Sequence, residues 1–414
     1  MPQKKYKKFN NIGNEEIKIV TKVLKSGVLS GFKASKDQSF YGGKYVKKFE
    51  KQWCKLVGAK YSIAVNSWTS GLTIALGSIN LNPGDEVIVP PWTMSATVMS
   101  ILQWNAIPVF VDINERTFCI DERKIRDKIT NKTKAIICVD IFGLSSNMDE
   151  ILRISKKYNL KTISDSAQSP LAKYKSKYAG TLADIGGYSF NCHKHIQCGE
   201  GGILITNNKT LARKMQLLRN HAEVTLDQRD SLVNMLGGNY RMGEIEAAIM
   251  IQQTKKLKKI LLKIRKDSEF IIRHLKRIKG IILPLVPQNQ THSYYVLPLI
   301  IDRKFIKEKK DVIYKLLLKE NIPSLMKSYQ NLHLLPIFSK QIAYGNKSFP
   351  WSLNKKKYRY HKGICPVSEE LNDKNFLGIE MCKKDFSKKD LFNIIKSFEN
   401  VFNKLNKNEK NINC

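Results

Sequence analysis

The sequence predicts an α/β protein: a mostly parallel sheet with helices on both faces, followed by a smaller C-terminal α+β domain. Three observations carry this. From about residue 60, short apolar runs alternate with helix-patterned stretches, which is the rhythm of strands joined by helical crossovers. The runs, among them YSIAV, EVIV and AIICV, are too continuously apolar to leave one face in water, as expected of a sheet covered on both sides. After GGILITNN the pattern turns to long basic helices and isolated strands, so a second architecture begins there.

In order along the chain, an amphipathic helix starts near Asn14, carries Ile17, Val20 and Leu24 on one face and stops at Gly27. A second helix carries Val46, Phe49, Trp53 and Leu56 before Gly58. Glycine just past the last periodic residue is a helix stop. Between the two runs the Gly/Ser-rich loop GVLSGFKASKDQSFYGG. The strand YSIAVNS is followed by the helix TSGLTIALGSI, EVIVP by SATVMSILQW, PVFVD by a helical stretch at DERKIRDKI, and AIICVD by MDEILRISKKY before the strand KTISD. A short strand ends at Ser189-Phe190. Beyond it come long basic helices over about 245–278, a strand at HSYYVLPLII, a helix at KKDVIYKLLLKE and a final helix from about Ser387, whose S-K-K-D start fits a capping box. The expected organisation is 1–58, an N-terminal arm with helices; 59–250, the large domain; 251–405, the small domain; and 406–414, a frayed tail.

The 414 residues carry 71 Lys+Arg against 36 Asp+Glu, a formal charge of +35, and such an excess raises the question of a nucleic-acid partner. The distribution argues against one: the basic pairs, from Lys4-Lys5 to Lys309-Lys310, and the triplet Lys355 to Lys357 are spread over the whole chain, with no RNP motif, zinc finger or basic-region helix. The start MPQKKYKKFNN lacks a secretory apolar core, and no apolar run approaches the roughly 18 residues of a membrane span. A cytoplasmic protein without membrane or nucleic-acid partners is expected. The eight cysteines include no C-x-x-C pair and no zinc spacing, so no metal site is expected.

The informative stretch runs from Ile163 to Gly202. Asp165 closes a buried strand, Gln168 follows three residues on, a short strand ends at Ser189, and Lys194 lies 29 residues past the Asp, before a Gly-rich turn. Each piece alone is common. Together they meet one chemical need: pyridoxal 5'-phosphate takes a lysine amine for its Schiff base and an acid beside its ring nitrogen, and α/β sheets place ligands at the C-terminal ends of their strands.

Here the chain resembles the DegT/DnrJ/StrS family of PLP-dependent sugar aminotransferases. The resemblance runs in order through KSGVLSG, NSWTSGL, GDEVIVPPWTMSAT, IPVFVDI, DSAQ, SFNCHKHIQCGEGG, RNHAE and GGNYRMGEIEAA. It implies the aspartate-aminotransferase type I fold, with 59–250 as the PLP-binding domain. By the same resemblance Lys194 forms the Schiff base and shuttles the proton, Asp165 pairs with the pyridinium, Gln168 faces the phenolic oxygen, and Ser189 binds the phosphate. Thr69 and Ser70 stand where a helix begins after a strand, a place suited to phosphate. Asn239 matches the family position that reaches the phosphate of the other subunit, which implies a homodimer with shared active sites.

Three departures from the family pattern stand out. The aromatic that stacks on the cofactor falls at Met94, with Trp92 two residues earlier, and the sequence leaves open which of them packs on the ring. Trp68 replaces the glycine of an S-G-T turn and is expected to crowd the phosphate loop. His193 and His195 flank Lys194; a His in place of the Schiff-base lysine would mark a sugar dehydratase, but the register from Ser189 and Gly199 puts Lys at that position. The implied reaction moves an amino group from an amino acid, by resemblance L-glutamate, to a nucleotide-linked 3- or 4-keto-6-deoxyhexose. The alternatives are a dehydratase of the same fold, an aminotransferase acting on a cyclitol or eight-carbon sugar, and a non-catalytic regulator. The loop after Gly27 and the segment SYQNLHLLPIFSKQIAYGNKSFPW are expected to form the acceptor pocket.

Overall fold

The computed structural model describes residues 6–33, 37–223 and 236–412, with side chains to residue 406. Part of the loop after Gly27 (34–36) and the last two residues of the expected tail lie outside the described residues. The elements are α1 (Asn14–Ser26), α2 (Lys44–Val57), β1 (Tyr61–Val65), α3 (Trp68–Ser78), β2 (Glu86–Val89), α4 (Ser95–Gln103), β3 (Ile107–Phe110), β4 (Thr133–Val139), α5 (Met148–Tyr158) and β5 (Lys161–Asp165). Then follow the hairpin β6 (Lys173–Tyr174) and β7 (Lys177–Tyr178), β8 (Ile185–Ser189), β9 (Gly202–Thr206), α6 (Lys209–Arg219) and α7 (Glu244–Leu275). The chain closes with β10 (Ile281–Ile282), β11 (Val296–Ile301), α8 (Lys310–Lys319), β12 (Leu325–Met326), α9 (Pro336–Ser339), α10 (Pro366–Glu370), β13 (Phe376–Glu380) and α11 (Lys388–Ile412).

Among the described residues the large sheet has the order β1-β9-β8-β5-β4-β2-β3. Neighbours from β8 to β3 pair in parallel, and β9 is antiparallel to both β1 and β8. The first strands are buried along nearly their whole length, as their unbroken apolar runs require. Because every strand but β9 points the same way, the ends at Val65, Val89, Asp165 and Ser189 meet on one edge. The second sheet, β10-β11-β13-β12, is antiparallel throughout.

Three elements differ from expectation. The face of α1 that carries Ile17 and Leu24 is exposed, 59% and 54%, while Glu16 and Val23 are buried. Glu16 turns inward because it has partners there: it accepts from the Gly13 N–H at 2.8 Å, from Gln253 Nε2 at 2.8 Å and from Lys256 Nζ at 2.6 Å. The stretch DERKIRDKI forms two 3-10 turns, Glu122–Lys124 and Arg126–Lys128, rather than a helix. Ile125 is its one fully buried apolar side chain, and a helix needs a longer apolar stripe to hold it against a sheet. Beyond β9, the expected long basic helices are one helix, α7. Its first half packs with Phe49 and Trp53 under the large sheet through Met250, Ile251 and Leu257, and its second half enters the small-domain core through Ile264, Ile271 and Leu275. The expected domain boundary at residue 250 therefore falls inside a helix that belongs to both cores. The final helix begins as its sequence predicts, with the Ser387 N–H donating to Asp390 Oδ2 at 2.9 Å and the Asp390 N–H donating to Ser387 Oγ at 3.2 Å.

Candidate active site

A cavity of about 480 Å³ opens at the shared strand edge, between the N-terminal turns of α3 and α4 and the turn after β8. Six of the eight expected site residues line it: Thr69, Met94, Asp165, Gln168, Ser189 and Lys194. Ser70 and Asn239 are not among its walls.

Asp165 is the last residue of β5 and is buried. Its Oδ1 accepts from Trp68 Nε1 at 2.7 Å and from the Ala167 N–H at 3.2 Å, and its Oδ2 accepts from Thr97 Oγ1 at 2.7 Å. A carboxylate has about four acceptor positions, so one on Oδ2 is left for a donor from the cavity. Gln168 lies within the same turn. Its Oε1 accepts from the Phe142 N–H at 2.7 Å and its Nε2 donates to the Tyr329 hydroxyl at 3.1 Å, which leaves one amide proton.

Lys194 sits in the turn after β8, its Nζ 4.4 Å from the centroid of the Tyr295 ring. Burial pushes its amine down to about 8, against the opposing pull of the Asp165 carboxylate. An amine at that level is neutral often enough near physiological pH to act as nucleophile and base. Its neighbours differ: His195 is buried with Nε2 2.9 Å from the Ser293 carbonyl oxygen, whereas His193 is exposed and lines the cavity.

At the other end of the cavity, Ser67 caps α3 by accepting from the Ser70 N–H at 3.1 Å, and the two hydroxyls are 2.9 Å apart. The Ser70 N–H is thus already used by its own helix, while Thr69 and Ser67 face the cavity. Ser189 contributes a hydroxyl from the end of β8, where it accepts from the Asn191 N–H at 3.3 Å. A helix N-terminus with hydroxyls around it suits a phosphate. The residues present therefore fit pyridoxal phosphate: an anion cradle at one end, an acid with a free acceptor position, and a lysine amine of lowered pKa in one cavity.

Of Met94 and Trp92, only Met94 lines the cavity. Met94 is 61% exposed and lines the cavity. Trp92 is fully buried, stacked on Phe118 at 6.0 Å between centroids, with Nε1 donating to Asn331 Oδ1 at 2.7 Å. Nor does Trp68 crowd the phosphate end. Its ring lies inward against Gly71 and Gly187, where an added Cβ would stand 2.6 Å and 2.0 Å from it. Sequence reasoning missed Trp68 and Thr97 as partners of Asp165, and Tyr295 as the ring beneath Lys194. The one signal for Trp68 was the Gly186-Gly187 pair in a strand that otherwise reads as core.

Asn239 lies at the surface; its backbone carbonyl accepts from Asn66 Nδ2 at 3.3 Å and its Oδ1 from Arg241 Nε at 2.9 Å. Of the expected acceptor segment, Tyr329 reaches the cofactor side through Gln168. Farther on, the segment turns away along the large domain, with the Tyr344 hydroxyl donating to the Leu102 carbonyl at 2.7 Å.

Comparison with known proteins agrees with this geometry. The chain is 32% identical over 351 residues to the spore coat polysaccharide biosynthesis protein SpsC of Bacillus subtilis, covering 83% of this chain and 87% of that protein. It is 31% identical over 300 residues to the GDP-perosamine synthase of Escherichia coli O157:H7, covering 72% and 80%. The solved structure of an aminotransferase from Psychrobacter cryohalolentis superposes with a TM-score of 0.83 at 25% identity, covering 97% of this chain and all of that one. The match to the DegT/DnrJ/EryC1/StrS aminotransferase family spans residues 10–374. Since that span takes in every strand end that positions the cavity, the chain belongs to this family of pyridoxal-phosphate aminotransferases.

Proposed function

We propose that the enzyme moves an amino group from L-glutamate to the keto carbon of a nucleotide-linked sugar, a 3- or 4-keto-6-deoxyhexose, in polysaccharide or glycoconjugate biosynthesis. The observation that carries this reading is Lys194, its amine held at about 8, in one cavity with the buried carboxylate of Asp165. Bound pyridoxal phosphate supplies an electron sink for the carbon that carries the transferred nitrogen. The chain's own residues do the rest. Lys194 takes the proton from the donor's α-carbon as the neutral amine and returns one to the former keto carbon as the ammonium. With the cofactor bound, Asp165 would hold positive charge at the ring nitrogen, Thr69 and Ser189 would hold the phosphate, and Met94 would pack on the ring. A net charge of +35 favours the approach of a diphosphate-bearing acceptor.

A cytoplasmic homodimer with shared active sites is part of the same reading. Asn239 lies outside its own chain's cavity and at the surface. Not far off, the Glu244 N–H donates to the Leu29 carbonyl at 3.0 Å, which joins the start of α7 to a run of exposed apolar side chains, Leu24, Val28 and Leu29. Apolar groups gathered in this way suit burial against a second copy. No helix among the described residues is long and apolar enough to cross a membrane.

The test is a set of nucleotide-linked keto sugars offered to the PLP-loaded protein with glutamate, read by release of 2-oxoglutarate. Stoichiometric 2-oxoglutarate and amino sugar support the reading. Loss of sugar hydroxyl without 2-oxoglutarate would identify a dehydratase, and a Lys194→Ala variant with full transamination would overturn the assignment of the lysine.

A further inference from the structure

The indole of Trp68 occupies a slot built for it. Trp68 is the first residue of α3, following the cap Ser67. The slot is floored by glycines from two elements: a Cβ on Gly71 of α3 would stand 2.6 Å from the ring and one on Gly187 of β8 would stand 2.0 Å from it, while Gly202 of β9 lets the Trp68 backbone nitrogen approach, 2.6 Å from where its Cβ would be. A buried indole N–H needs a partner, and here Nε1 donates at 2.7 Å to Asp165 Oδ1, the carboxylate that faces the cavity.

The other carboxylate oxygen is held from the opposite side. Thr97 Oγ1 donates to Asp165 Oδ2 at 2.7 Å, and Thr93 Oγ1 lies 2.7 Å from Thr97 Oγ1. A hydroxyl has one proton. With that of Thr97 committed to Asp165, Thr93 is the donor to Thr97, and the three residues form a relay that ends on the carboxylate. The two oxygens of Asp165 are thus tied to two different helices, α3 and α4, by side chains that are themselves buried.

We propose that Trp68 is a positioning residue for the cofactor ring: with Thr97 it fixes the plane of the Asp165 carboxylate, so that the remaining acceptor position on Oδ2 is held ready for the ring nitrogen. This preorganisation spares the site from reorienting a buried charge when the cofactor arrives. The inference rests on pyridoxal phosphate occupying this cavity and is independent of the acceptor sugar, so a wrong acceptor assignment leaves it standing.

The test uses Trp68→Phe, which keeps the ring and removes the N–H, alongside Thr97→Val and Thr97→Ser. For each, the dissociation constant of PLP from the full-length protein, the absorption spectrum of the loaded protein and the melting of the cofactor-free protein are measured. A lost hydrogen bond to a charged group corresponds to about a tenfold loss of affinity or more. Trp68→Phe and Thr97→Val are each expected to weaken PLP binding by about that factor and to shift the visible band as the ring nitrogen loses its proton, while Thr97→Ser restores both. A Trp68→Phe protein that binds PLP with unchanged affinity and spectrum, its melting alone lowered, would overturn the proposal and leave Trp68 a core residue. Should Trp68→Phe fail to fold, the indole 15N–H signals of the wild-type protein, which has five tryptophans, read the same contact. One of them is expected to move on addition of PLP, and none moving would overturn the proposal.

Discussion

Lys194 carries its amine over the face of Tyr295, 4.4 Å from the ring centroid, so that the turn after β8 and the residue just ahead of β11 meet at the reactive nitrogen. The ring's negative face stabilises an ammonium, while burial works against it and prevails, leaving the amine at about 8. Removing the ring should therefore lower that value further. Tyr295→Leu is expected to shift the acid limb of amine modification at Lys194 in the cofactor-free protein downward by roughly half a pH unit, the size of an ordinary cation–π contact. Tyr295→Phe should leave it in place, and equal shifts in both variants would refute the contact.

The same lysine makes the cofactor-free protein less stable at neutral pH than it would otherwise be. A folded-state value near 8, below the ordinary 10.5, means the unfolded chain binds the extra proton between those limits. Stability then rises with pH across that window, and the penalty is fully present below it. Lys194→Met, which fills similar volume without charge, is expected to stabilise the cofactor-free protein at pH 7 by on the order of 2 kcal/mol. Urea midpoints at pH 7 and pH 10 measure this, and the gain should be smaller at the higher pH.

Two buried imidazoles predict acid lability. Burial lowers His195 to about 4 and His292 to about 3, with each proton excluded from the folded state. Below the ordinary 6.5 the unfolded chain takes up those protons first, so stability is lost as pH falls from that point. Each site should account for on the order of 2 kcal/mol by pH 5, visible as a fall in the denaturant midpoint between pH 7 and pH 5. His195→Gln is expected to flatten that slope by about half.

Trp92 and Met94 should separate cleanly in a pair of variants. Trp92 is enclosed by Phe118, Phe142, Tyr329 and Phe376, and Trp92→Ala is expected to cost about 3–5 kcal/mol of stability. Met94→Ala should melt normally and lose PLP affinity instead. If Trp92→Ala keeps its stability, or Met94→Ala its affinity, the division of roles between them is wrong.

Much of the site could be read from local sequence because its parts sit at strand ends. Asp165, Gln168, Ser189 and Lys194 fall where apolar runs stop, and parallel strands carry those stops to one edge. Where a residue's role depends on a partner remote in sequence, the local pattern misled. Ile17 and Leu24 looked like a core stripe, but Glu16 had Gln253 and Lys256 to meet, and the helix rolled accordingly. Trp68 looked like an obstruction, since nothing nearby announces that Gly187, more than a hundred residues on, leaves room for its ring.

By itself the sequence determined the class of fold and the alternation of strands and helices from β1 to β5, the crossover at DERKIRDKI excepted, and it singled out Asp165 and Lys194 as candidates for one site, because hydrophobic period and strand ends are local properties. Only the tertiary structure decided which way Trp68 and Trp92 face, that Tyr295 underlies Lys194 and that α7 serves two cores. Those are settled by packing against residues distant in the chain, where volume and hydrogen-bond partners, rather than neighbours in sequence, select the arrangement in which the Trp68 and Trp92 indoles and the Asp165 carboxylate are all paired.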